Sequence, residues 1–351
     1  MQLQEDRIAW VDTLRCLGMW AVYIGHFGDL AGKLYPFVFL FHVPLFFFAA
    51  GFFVRDHETL PALVVRLVRR LLLPYVFFAL LYAAVLALFY NWTWVNLQDA
   101  LLAFSQGIRN QIPAGSLWFL LCLFVVAVAY GIVLRLTRRR VVSWVFAGAC
   151  FLVSRHGLAF DPLSTPQWFF NADSALYFVG WYALGHALFP WLRLAAGQRW
   201  FDVLAVAGVA GAAFLYFNGT SDVEALLAAI PPGRRHALAQ TILAALVVAC
   251  CLLAAVGVAR ALQHIPVTRW LGTRTLSLCG AEDLTKLVAS QVLLAVGLKL
   301  QLIHPLGVVL WSLACLVLAG GLSDLLARFA PRWSGLRTDA RPPTVSAVAS
   351  A

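Results

Sequence analysis

Apolar stretches long enough to cross a bilayer recur along the whole chain, and no other feature limits its fold as strongly. A spanning helix needs about 20 mostly apolar residues. Ten stretches come close: 9–28, 36–54, 70–90, 116–135, 141–154, 174–192, 200–217, 238–259, 275–298 and 305–327. Lipid offers no water to backbone N–H and C=O groups, so such stretches take up helices, which satisfy their own backbone. The predicted fold is all-α: a polytopic bundle of about ten transmembrane helices within residues 1–330. The Pro-, Ser- and Arg-rich tail at 331–351 reads as disordered. Composition agrees, because only 12% of the residues are charged, about half the share of a soluble domain. Glu5 and Asp6 precede the first apolar run, Arg15 interrupts it and no A-x-A site closes it. It therefore does not read as a cleaved signal peptide.

The net charge of +10 would suit a nucleic-acid partner, but its placement argues against one. With the N-terminus inside, the cytoplasmic segments hold 18 Arg and Lys and the outer loops six: Lys33, Arg109, Arg155, Arg234, Arg235 and Lys299. That asymmetry is the positive-inside rule, and it predicts cytoplasmic N- and C-termini. Arginine outnumbers lysine 23 to 3, a bias that points to a bacterial source and hence to its inner membrane. The seven cysteines all lie in apolar runs without C-x-x-C or His-paired spacing, so neither a disulfide framework nor a metal site is expected.

Arg15 and His26 interrupt the first apolar run, although a charge near the bilayer centre costs at least about 2.5 kcal/mol. Eleven helical steps carry one onto the face of the other, about 16 Å along the axis. Asp12, three residues before Arg15, can pair with it. A guanidinium at the inner mouth suits the phosphates of an anionic cofactor, and an imidazole near the outer end can accept a proton from a hydroxyl. Coenzyme A, with phosphates at one end and a thioester on a long arm, has the shape to lie between them. The plainer alternative is that Arg15 snorkels and His26 bonds a neighbouring helix. His42, at the outer end of the second span, lies on the same side as His26, with Pro44 in the first turn where its missing N–H does no harm. In the ninth span Glu282 and Lys286 stand four apart, in the favourable order. They are either a functional pair or a self-neutralising one that lets the span insert.

These segments resemble the acyltransferase 3 family of integral membrane O-acyltransferases. Asp12, Arg15 and His26 match its first-helix pattern, and "FHVPLFFFAAGFF" is similar to the second-helix signature of the fucose 4-O-acetylase-like, exopolysaccharide acetyltransferase subgroup. "RLVRRLLLPYVFF" at 66–78 and "GSLWFLLCLF" at 115–124 resemble the third and fourth helices. The likeness runs from about residue 8 to 327. Two places depart from it: Ala50-Gly51 where Ser-Gly is frequent, and Glu282 near a position that often holds a late His.

The resemblance implies transfer of an acyl group, most often acetyl from acetyl-CoA, to a sugar hydroxyl of a bacterial surface glycan or exopolysaccharide. Membrane lipids, a lipid-linked or polymeric glycan acceptor and polysaccharide-synthesis machinery are the partners it implies. Arg15 and His26 carry over as the functional pair. In this reading His26 is the general base and Arg15 orients the donor. Arg66, Arg69 and Arg70 either help hold the donor phosphates or serve as topology signals alone. Polar groups near His42 and Trp118 would stabilise the oxyanion and place the sugar, and Glu282 and Lys286 join the substrate-binding set. No metal cofactor is implied. The rival class is a glycolipid transporter or flippase, for which repeat symmetry and helices broken near the midplane would speak; the sequence shows neither.

Overall fold

The computed structural model describes residues 8–195, 198–218, 233–298, 302 and 304–330, without the side chains of residues 199, 234 and 235. In chain order the helices are α1 (Ala9–Gly25), α2 (Leu34–Phe39), α3 (His42–Gly51), α4 (Leu60–Leu67), α5 (Leu73–Tyr90), α6 (Trp94–Gln106) and α7 (Trp118–Thr137). They continue as α8 (Arg140–His156), α9 (Ala172–Ala195), α10 (Arg199–Asn218), α11 (Arg234–Leu262), α12 (Pro266–Gly272), α13 (Thr275–Ala295) and α14 (Pro305–Phe329). No strand occurs among the described residues.

Each of the ten apolar stretches falls on helix. Among the described residues six helical stretches are long and apolar enough to cross a membrane: Leu34–Gly51, Leu60–Tyr90, Trp118–Thr137, Trp200–Asn218, His236–Leu262 and Pro305–Phe329. Of the rest, α1 and α8 have 17 residues each, and α13 carries Glu282, Asp283 and Lys286. Large apolar side chains such as Leu88, Leu136, Leu194 and Phe217 face outward, which suits a lipid-bathed surface better than water.

Three expectations need correction. The stretch 36–54 is not one helix. It breaks at Phe41 (φ −135°, ψ −20°) and restarts at His42. A helix running through Pro44 would drive its ring into the carbonyl of Leu40, so the break falls where it puts Pro44 in a first turn. The third span starts ten residues earlier than expected, at Leu60, and a π-helical turn at Val68–Leu72 joins α4 to α5. That turn sits where Pro74 cannot donate to the helix. The stretch 91–115, expected as a loop, contains α6. Thr93 and Asn96 form a reciprocal capping box at its start, with Thr93 N–H donating to Asn96 Oδ1 at 3.0 Å, and Gly107 ends it at φ 64°. Arg328 lies in the last turn of α14, within the expected bundle. The predicted tail at 331–351, the charges at Arg7, Lys299, Arg332, Arg337 and Arg341, and most of the 218–237 loop lie outside the described residues.

The first helix is the hub of the bundle, in contact with α2, α3, α11, α12, α13 and α14. A second strong contact joins α3 to α9 through glycines. A methyl group at Gly185 would stand 1.9 Å from the carbonyl oxygen of Phe48, and one at Gly51 would stand 2.1 Å from that of Tyr182. The two backbones touch directly, as small residues permit where helices pack in lipid.

Candidate active site

The first helix ends at Gly25, and His26 is its cap, at φ −77° and ψ 3°. The helix thus stops one residue short of His26, which stays at the end of the face that Arg15 begins. There the imidazole meets α13. His26 Nδ1–H donates to Glu282 Oε2 at 2.6 Å. Glu282 is fully buried, and its other oxygen holds the Lys286 ammonium one turn on. That ammonium lies over the rings of Phe27 and Tyr23, 4.6 and 5.3 Å from their centres. The Glu282–Lys286 pair expected from spacing is therefore present, with His26 as its third member. A buried carboxylate is tolerable because it is matched on both oxygens.

This arrangement fixes the tautomer of His26. A carboxylate only accepts, so Nδ1 carries the proton and Nε2 keeps its lone pair. The space beside Nε2 is bounded by the loop ahead of α7: a methyl group at Gly115 would stand 3.9 Å from Nε2 and 3.5 Å from Asp283 Oδ2. The backbone N–H of Gly115 donates to Asp283 Oδ2 at 2.6 Å, and Ser116 Oγ–H donates to the carbonyl of Cys279 at 2.7 Å. Tyr23 O–H donates to the carbonyl of Leu278 at 2.9 Å. Three separate parts of the chain are thus pinned around one imidazole. A base held by a carboxylate, with no hydrogen bond on its second nitrogen, can take a proton from a hydroxyl.

His26, Glu282 and Asp283 also bring one ligand atom each within 4.8 Å of one another. Nitrogen and oxygen donors of this kind suit a divalent metal. Lys286 already neutralises Glu282, so a second cation there would meet repulsion.

His42 is buried at the same end, and its Nδ1–H donates to the carbonyl of Val38 at 2.7 Å. Trp118 is buried as the first residue of α7, and the Arg109 guanidinium lies 4.7 Å over its ring. Neither makes a hydrogen bond to His26. Sequence reasoning missed Asp283, Gly115 and Ser116 as neighbours of His26. The adjacent acids Glu282 and Asp283 inside an apolar run were the available signal.

Eleven residues before His26, Arg15 approaches Asp12 at 3.7 Å and lies 4.6 Å over the Phe53 ring. Phe53 in turn adjoins Phe189, which lines a cavity of about 560 Å³ together with Arg55, Asp56, Arg140 and His186. Arg140 is paired with Asp56, and His186 links Asp56 (Nε2 at 3.2 Å) to the Tyr130 hydroxyl (2.8 Å). Of the three arginines proposed for the donor, Arg66 grips Glu58 with two bonds of 2.8 and 2.6 Å. That grip holds the Glu58 carboxyl below its ordinary range. Arg69 and Arg70 are exposed on the π turn.

Glu282 acts through His26, and its replacement tests that role. Glu282→Gln keeps the size and a hydrogen-bonding oxygen but loses the charge that steadies the protonated ring. We expect turnover to fall roughly tenfold to a hundredfold, as for groups that orient a working imidazole, with a changed pH profile of kcat. A wild-type kcat and pH profile in a well-inserted Glu282→Gln protein would leave Glu282 a packing residue only.

A family model described as an acyltransferase domain matches residues 8–328. No curated protein and no solved structure matches the chain.

Proposed function

The chain belongs to the acyltransferase 3 family, as the match over residues 8–328 shows, and from that premise we propose that it moves an acetyl group from acetyl-CoA to a sugar hydroxyl of a bacterial surface glycan. The observation that carries this reading is the His26 imidazole, locked to Glu282 through Nδ1 while Nε2 makes no hydrogen bond among the described residues. As the sugar oxygen attacks the thioester carbon, Nε2 takes the hydroxyl proton. Glu282 offsets the charge gained by the ring. The tetrahedral oxyanion then collapses, the C–S bond breaks, and the leaving thiolate recovers the proton from His26. His42 and the loop before Trp118 would supply the polar groups that face the oxyanion and the sugar.

Arg15, eleven residues before His26 on α1, would orient the donor from about 16 Å away along the axis, a distance suited to an extended thioester arm. The cavity beside it, with Arg55 and Arg140, has room for the donor's phosphates, and Arg69 and Arg70 add exposed cations. Arg66 is committed to Glu58. The donor end faces the cytoplasm if both termini do, as the 18-to-6 split of Arg and Lys suggests. The membrane would then be the bacterial inner membrane.

Sealed vesicles test donor and sidedness together. Labelled acetyl-CoA added to inside-out vesicles should pass label to glycan, and right-side-out vesicles should give almost none. Arg15→Lys, which keeps charge but loses the fork, should raise the KM for acetyl-CoA in this assay. Label transfer from the outer side only would reverse the orientation. Full acetylation of the surface glycan in a deletion strain, read by mass spectrometry, would remove the function itself.

A further inference from the structure

Over the Trp118 ring lies a guanidinium that meets no carboxylate at ion-pair distance among the described residues. Arg109 lies in the loop between α6 and α7, the same loop that brings Gly115 and Ser116 to His26 and Asp283. Its backbone N–H donates to Asn171 Oδ1 at 2.9 Å, and Asn171 Nδ2 donates to the carbonyl of Gly107 at 2.6 Å. Asn171 is fully buried, and it and Phe170 both have left-handed backbones, at φ 52° and 57°. Two consecutive non-glycine residues persist there only because their surroundings over-determine them. The loop is thus built to hold Arg109 in one place.

The guanidinium has one face on Trp118, and its Nη2 group donates to the carbonyls of Pro162 and Leu163. Its Nε–H is buried without a partner. Among the described residues no carboxylate lies within ion-pair distance of it. The acids of the neighbouring loop are engaged elsewhere. Asp173 accepts from the N–H groups of Gln167 and Trp168 at 2.6 and 3.1 Å. Asp161 accepts from Leu163 N–H and the Ser164 hydroxyl, both at 3.0 Å. A buried donor without an acceptor is costly until one meets it.

We propose that Arg109 selects the acceptor: it binds an anionic group, carboxylate or phosphate, carried by the sugar that is to be acylated. The inference rests on the acyl-transfer reading above and adds to it the class of acceptor. The arginine fork suits either oxyanion. A carboxylate would mark a uronic-acid type of sugar, and a phosphate a sugar phosphate or the phosphate of a lipid carrier.

The test uses the purified full-length protein and three small acceptors: methyl glucuronide, glucose 1-phosphate and methyl glucoside. The wild type should show a KM for one of the charged probes about tenfold to a hundredfold below that for the neutral one, the range of a charge-assisted hydrogen bond. Whichever probe shows it identifies the anion. Arg109→Gln should bring that ratio near one, and Arg109→Lys should keep part of it. A wild type that treats all three alike would overturn the proposal. So would an Arg109→Gln protein whose turnover falls equally for all probes with the ratio preserved, which would make Arg109 a clamp on Pro162 and Leu163. If Arg109→Gln fails to fold, the wild-type preference and its reduction in Arg109→Lys decide. If no probe is acylated, calorimetric binding separates the two ideas. Anion-selective binding lost in the variants would retain Arg109 and count against acyl transfer, and binding without anion preference would remove Arg109.

Discussion

The His26→Ala protein should insert into the membrane at the wild-type level and lose acyl transfer by about 10²–10⁴-fold, the usual contribution of a positioned general base. A sugar hydroxyl is a poor nucleophile at neutral pH, and Nε2 of His26, with no hydrogen bond among the described residues, is the nitrogen placed to take its proton. The substitution is mild for folding. Glu282 loses the donor on one oxygen but keeps Lys286 on the other, so its charge stays paired, and His26 caps the end of α1 rather than lying within it. Acyl groups per inserted protein, by mass spectrometry of the acceptor, are the measurement. A wild-type rate would take the base assignment away from His26 and leave its bond to Glu282 as a tie between α1 and α13.

The Gly185→Ala protein should unfold roughly 5–10 °C below the wild type in detergent. The added methyl would lie 1.9 Å from the Phe48 carbonyl oxygen and 2.8 Å from its carbon. Both are backbone atoms, so no side chain can turn aside, and α3 must move off α9. Gly51→Ala meets the Tyr182 carbonyl from the other helix and should cost a similar amount. The double variant should lose less than the two together, because one separation relieves both clashes. Gly148→Ala in α8 is the control: its methyl would meet nothing within 4 Å, and its melting should stay put or rise slightly, since alanine favours helix. An unchanged Tm for Gly185→Ala would mean that α3 and α9 are not in backbone contact in the membrane.

The helices were legible because lipid imposes a single backbone solution on an apolar run, so the ten stretches fall on helices whatever their partners. Boundaries inside an apolar run were not. "FVFLFHVPLFFF" has no polar or glycine punctuation, and only Pro44 hinted that the chain restarts at His42. The helix α6 was missed although Thr93 and Asn96 carry its cap, because a polar stretch between spans reads first as a loop. At the site, spacing within one helix was readable: Asp12 with Arg15, and Glu282 with Lys286. The bond that makes the site, His26 to Glu282, joins residues 256 apart, and no local pattern encodes it. Arg109 read as one more loop charge because its lack of a counter-ion is a property of the packed loops.

That 256-residue separation also sets an order in time. Chains grow at about 5–20 residues per second, so roughly 13–50 s pass between the synthesis of His26 and that of Glu282. Throughout that interval the first helix is already in the membrane without its carboxylate. Glu282, when it arrives, enters with Lys286 four residues behind it and His26 waiting. The buried acid never has to cross into lipid alone, and a chain cut short anywhere before α13 would be born without the partner of His26.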